Sequence, residues 1–166
     1  MKTRTTYLTT TALLAAMIFI TTAFFLHIPI GLNGGYIHVG DALIFLAASL
    51  LPRPYAICAA VIGGTLADLA TVPIWAPATA VIKMLLAISL TNKSSTIIHS
   101  RNIIGLILAF PITILGYFVA EGLLFGNFAA AIPSIAGNFI QCAGSCIIYI
   151  IIGKALDQMS FKNKFV

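Results

Sequence analysis

TNKSSTIIHSRN at residues 91–102, followed at once by IIGLILAFPITILGYFVAEGLLF at 103–125, decides the fold of this chain. The first segment is polar and carries Lys93, His99 and Arg101. The second has no charge before Glu121. As a helix rising ~1.5 Å per residue it is ~35 Å long, enough to cross a hydrocarbon layer of ~30 Å. Pro111 removes one ladder hydrogen bond inside it and should kink it. Lys and Arg flanking an apolar run stay on the cytoplasmic side during insertion. Residues 91–102 therefore read as a cytoplasmic connection, and 103–125 as a helix leaving it outward.

The same alternation extends to both ends of the chain. Eight of the nine fixed cations fall in four clusters: Lys2 and Arg4, Arg53, Lys93 and Arg101, and Lys154, Lys162 and Lys164. Six helices, at about 5–27, 41–51, 55–70, 77–90, 103–125 and 130–156, put all eight on one face if both termini are cytoplasmic. The expected fold class is an all-α membrane protein with six transmembrane helices in a single transmembrane domain, residues 1–166. Helix 2 is short for a full crossing. Pro29, Gly31, Gly34 and Gly35 break the chain after helix 1 and predict an outer loop at 29–40. Pro52-Arg53-Pro54 predicts a tight cytoplasmic turn, and Pro77 suits the first turn of helix 4. The apolar run at 8–28 is longer than a signal-peptide core and reads as the first membrane helix.

Composition agrees. The chain is 60% hydrophobic and 8% charged, against roughly 25% charged in an average soluble protein. Its +5 formal charge is dispersed at helix ends, so it is no nucleic-acid footprint. Three cysteines, Cys58, Cys142 and Cys146, lie in apolar segments and read as packing residues; no metal site or cofactor is expected. Small residues recur at four-residue spacing: Ala12 and Ala16, then Ala60 and Gly64 with Asp68 next in phase. Such rows let helices approach closely in lipid. The Ala12/Ala16 row could instead meet another protein.

The ninth cation, Lys83, lies inside an apolar segment, where a charge is costly and marks a candidate site. Under the six-helix topology Asp41, Asp68, Glu121, His38, Trp75, Tyr117, Asn127 and Asn138 all fall near outer helix ends. Gln141 lies one turn deeper than Asn138. The inner half reads as almost purely apolar. Each residue also has a plainer reading. Asp41 can cap helix 2. Asp68 can pair with Lys83, and Lys83 or Glu121 can snorkel to the interface. Trp75 and Tyr117 can be belt residues, and Asn138 and Gln141 can be interhelical glue. Nothing supports an enzyme: the chain lacks a G-x-x-x-x-G-K-[ST] phosphate loop, H-E-x-x-H and G-x-S-x-G. Energy for uphill transport must come from a partner or from an ion gradient.

GGYIHVGDALIFLAA at 34–48, Leu51-Pro52, GGTLADL at 63–69 and WAPATAVIK at 75–83 carry a family resemblance. They resemble the substrate-binding membrane subunits (S components) of energy-coupling factor (ECF) vitamin transporters. The branch is that of the hydroxymethylpyrimidine, pyridoxine and riboflavin types, and the match spans roughly 8–156. The resemblance implies a pocket near the outer surface, roofed by the loop between helices 1 and 2. It implies a complex with a transmembrane coupling subunit (T component) and two ABC ATPases in a prokaryotic cell membrane, docked through Ala12 and Ala16. It implies that the subunit topples in the bilayer to release its vitamin inside. By position it implies ligand contacts from Tyr36, His38, Trp75, Lys83, Tyr117, Glu121, Asn138 and Gln141. Asp41 and Asp68, outside that set, read as structural polar residues. Aromatic rings beside one acid and one base suit a small neutral or zwitterionic heterocycle, such as pyridoxine or hydroxymethylpyrimidine. A stand-alone channel or facilitator, another vitamin such as riboflavin, and an intramembrane enzyme are the alternatives.

Overall fold

The structure, a computed structural model, describes residues 4–25, 28–30, 35–37 and 39–162, with the backbone alone for the two three-residue stretches. The described residues form six α-helices: α1 (Arg4–Ala23), α2 (Gly40–Leu50), α3 (Arg53–Thr71), α4 (Ala76–Ser89), α5 (Ser100–Phe125) and α6 (Ile132–Gln158). A single 3-10 turn, Pro73–Trp75, leads into α4. The expected outer loop contains a small antiparallel hairpin of β1 (Ile28–Ile30) and β2 (Gly35–Ile37).

Local chemistry sets the boundaries. Leu51 is extended and Pro52 cannot continue α2, while Pro54 occupies the first turn of α3, where its missing N–H leaves no gap. α5 stops at Gly126, whose φ of 66° is the left-handed conformation that glycine adopts without a Cβ clash. A turn then delays α6 to Ile132, two residues later than its sequence suggested. α5 starts at Ser100, three residues early, and so draws Asn102 out of the polar connection into the helix.

α1, α3, α5 and α6 are each long and apolar enough to cross a membrane; α2, and α4 with its preceding turn, are shorter. At ~1.5 Å per residue α2 spans only ~16 Å, yet it is the most enclosed helix. All its residues except Leu43 are buried, which explains a sequence apolar on every face. α3 is packed between α1 and α4. Gly63 makes the first contact possible: a Cβ there would lie 2.6 Å from the Ala15 carbonyl oxygen. Around this core the outward faces are apolar, with Leu13, Phe24, Ile107, Leu115, Leu123 and Ile151 all exposed. A surface of that kind requires a lipid covering.

The helices alternate in direction, and contacts fix which ends meet. Tyr7 stacks on Tyr55 at 5.3 Å between ring centroids, and Ser49, Asn102 and Tyr149 join through hydrogen bonds. Arg4, Arg53, Lys93, Arg101, Lys154 and Lys162 therefore share one end of the bundle. Asp41, Asp68 and Glu121 lie toward the other. We call these the basic and acidic ends.

The expectation of a nearly apolar inner half needs correction. The basic end holds a buried hydrogen-bond network. The Asn102 amide Nδ2 lies 3.0 Å from both Ser49 Oγ and the Ile97 carbonyl oxygen. Ser49 Oγ and Tyr149 Oη are 2.8 Å apart, and Tyr149 Oη donates to Ile97 O. Asp157 accepts the backbone N–H of Ile97 at 2.7 Å and of Ile98 at 2.9 Å. Ile98 fills a notch over Gly153, where a Cβ would lie 2.7 Å from its side chain. The 91–99 connection is thus fastened to α6 as well as to α5. Neutral groups that satisfy one another can be buried at little cost, and this is what the hydropathy of the segment concealed.

Candidate ligand-binding site

Asp41 is the centre of the acidic end. Its place in the first turn of α2 suggested a cap, but Val39 occupies the cap position and no side chain caps this helix. Asp41 turns inward instead. Its Oδ1 lies 2.6 Å from Lys83 Nζ, and its Oδ2 accepts a hydrogen bond of 3.0 Å from Gln141 Nε2. All three residues are buried. Lys83 is therefore no snorkelling residue, and its ion-pair partner is Asp41 rather than Asp68. Asp68 is buried within electrostatic reach of the same ammonium. Removing one member of such a pair leaves an uncompensated charge, at a cost of about 3–5 kcal/mol.

Aromatic groups flank the pair. The Lys83 ammonium sits 5.5 Å from the centre of the Tyr117 ring, a cation–π distance. Tyr117 Oη and Thr79 Oγ1 are 3.1 Å apart. Trp75 meets the Tyr117 ring edge-on at 6.0 Å and also touches Phe125. Trp75 is buried, so the belt reading fails. Its indole Nε1–H finds no acceptor among the described residues, and the buried Thr113 hydroxyl, one turn deeper than Tyr117 on α5, lies beside Cys142. Buried polar groups normally have partners, so a ligand in reach of the Trp75 indole would supply one.

Two runs stepping by four residues build this arrangement. Trp75, Thr79 and Lys83 lie along one face of α4 and its preceding turn, and Thr113, Tyr117 and Glu121 along one face of α5. Glu121 is buried one turn outward of Tyr117. On α6, Gln141 is buried and bonded, while Asn138, one turn outward, is half-buried. Of Tyr36 only the backbone is described, in β2 opposite Pro29; β2 runs beside α6. His38 lies outside the described residues. Thr79 and Thr113 join the site with no sequence signal beyond the four-residue spacing they share with Lys83 and Tyr117, and Asp41 serves as an ion-pair partner instead of a cap. Ala12 and Ala16 are exposed on α1, whereas Ala15 is buried against Gly63. Among the described residues no group of three His, Cys, Asp or Glu could hold a metal ion.

Residues 2–158 match the family model described as "ECF-type riboflavin transporter, S component". The chain belongs to the ECF-type S-component family. Members are membrane subunits of transporters rather than enzymes. A protein of Pyrococcus woesei described as "Uncharacterized protein in gap 3'region" is 30% identical over 129 residues, which is 76% of this chain and 86% of that protein. Among solved structures, "Structure and mechanism of the S component of a bacterial ECF transporter" superposes with a TM-score of 0.73 at 22% identity, covering 95% of this chain and 98% of the other. That likeness is one of fold.

Proposed function

We propose that this S component is the high-affinity substrate-binding subunit of an ECF-type ABC importer. It takes a small water-soluble vitamin or precursor at the acidic end and delivers it inward by toppling. The observation that carries this reading is the buried Asp41–Lys83–Gln141 cluster, walled by Tyr117 and Trp75 at one end of a bundle otherwise clad in apolar side chains. A charge pair inside a membrane segment is retained where function needs it.

In this reading the chain is one transmembrane domain in a prokaryotic plasma membrane, with six crossings. The basic end and both termini are cytoplasmic by the positive-inside rule, so the site opens outward. A T component docks on the exposed Ala12/Ala16 row, and two ABC ATPases supply the energy. The network at the basic end favours toppling over a channel. A solute leaving through that end would have to break the bonds among Asn102, Ser49, Tyr149 and Asp157, whereas rotation of the whole bundle breaks none of them.

The substrate is a single-ring heterocycle, with pyridoxine or hydroxymethylpyrimidine first. A ring stacked near Tyr117 and Trp75 would place hydroxyl or ring-nitrogen groups against Lys83, Gln141 and Glu121. Riboflavin is the second reading, favoured by the matched family model. Trp75 is the only tryptophan of the chain, so its emission should respond directly to binding. Titration of the purified protein with pyridoxine, hydroxymethylpyrimidine and riboflavin, without nucleotide, should give saturable quenching by one of them. Quenching by none, together with nucleotide-free solute uptake into proteoliposomes holding this chain alone, would favour the channel instead.

A further inference from the structure

α3 contributes two adjacent glycines that face different neighbours. Gly63 faces α1. Gly64 faces α4, at the level of the ion pair. A Cβ built on Gly64 would lie 2.9 Å from Lys83 Cγ, 3.7 Å from Lys83 Cβ and 3.4 Å from Thr79 Cγ2. The first distance is below any ordinary carbon–carbon contact. The atom it strikes is near the root of the lysine stem, not its mobile tip. Both neighbours belong to the site, since Lys83 bonds Asp41 and Thr79 meets the Tyr117 hydroxyl.

We propose that Gly64 is a positioning residue for the binding site. Its missing side chain is the channel along which the Lys83 stem reaches Asp41. Lys83 is fully buried, so the stem has no solvent-side route around an added methyl group. An alanine at 64 must move the stem or push α3 from α4. Either shift carries the ammonium off the 2.6 Å contact and off the Tyr117 face. Gly64 itself then touches no ligand, yet it governs the charge that the ligand meets. This inference rests on the reading of the Lys83 cluster as the ligand site.

The test is a double-mutant cycle with two readouts. Gly64→Ala is made in the natural chain, in Lys83→Met, which keeps the stem without the charge, and in Lys83→Ala, which removes Cγ. Asp41→Asn accompanies both Lys83 changes so that no buried carboxylate is left unpaired. The first readout is the unfolding temperature in detergent, which needs no ligand. Gly64→Ala should lower it in the natural and Lys83→Met backgrounds and leave it unchanged with Lys83→Ala. An equal drop in all three backgrounds would overturn the proposal. The second readout is Trp75 quenching by pyridoxine and by riboflavin. Gly64→Ala should weaken whichever binds by about tenfold or more, the equivalent of one displaced charged contact. Unchanged affinity would also overturn it. If neither solute binds the natural chain while the unfolding cycle behaves as stated, the assignment of the site to these vitamins falls and the Gly64–Lys83 coupling stands.

Discussion

The acidic and basic ends of the bundle both bury polar side chains, but in opposite chemical states. At the basic end Asn102, Ser49, Tyr149 and the Ile97 backbone are neutral and close on one another, while the buried Lys162 Nζ and His99 Nδ1 there have no hydrogen-bond partner among the described residues. At the acidic end a full ion pair is buried, and the Trp75 indole has no hydrogen-bond partner among the described residues. A satisfied neutral network is a fastening. A buried charge pair beside an orphaned indole donor is costly to maintain and suits a site prepared for something else. Under the proposed function the difference separates the end whose network fastens the fold from the end that takes the ligand.

The largest effect should come from breaking the charge pair singly. Lys83→Ala or Asp41→Ala should each cost about 3–5 kcal/mol of stability, read as a lower unfolding temperature in detergent, and should abolish binding. Asp41→Asn with Lys83→Met should recover much of the stability but none of the binding. Full binding by the double variant would erase the contrast between the two ends.

At the basic end the order reverses. Asn102→Ala should strand the Thr91 N–H and several acceptors, costing about 2–3 kcal/mol. Ligand affinity of the folded fraction should stay unchanged. Asp157→Ala releases the Ile97 and Ile98 N–H groups and should cost about 1–2 kcal/mol. Faster hydrogen exchange confined to the 91–99 connection would confirm where the loss arises. Weakened ligand binding in either variant would show that the ends are coupled. The smallest effect is expected for Tyr117→Phe. It loses the contact with Thr79 but keeps the ring under Lys83, so affinity should fall by no more than about tenfold, near 1 kcal/mol. Separately, Ala12→Leu or Ala16→Leu lies on an exposed face. Either should leave unfolding unchanged and remove co-purification with the coupling subunit.

The helices were legible in the sequence because lipid-exposed segments must be long, apolar and bounded by cations. Even α2, too short to fit that rule, was marked by Gly40 at its start and Pro52 just beyond its end. The hairpin was hidden because two three-residue strands among glycines carry no periodicity. The site was half legible. Lys83 stood out as a charge in an apolar run, and Gln141 followed from its depth on α6. Asp41 was misread because an acid at a helix start has a common local use, and only the tertiary arrangement reveals that its carboxylate is engaged 42 residues away. Asn102 was misplaced for a related reason. It sits in a polar stretch that resembles a loop, but the helix begins earlier and carries it into the core.

The most direct measurement is mass spectrometry of the small molecule released from the purified S component and from its Asp41→Asn/Lys83→Met variant. One vitamin-like heterocycle should be released, close to one per chain from the natural protein and none from the folded variant. The same molecule held equally by both would contradict that.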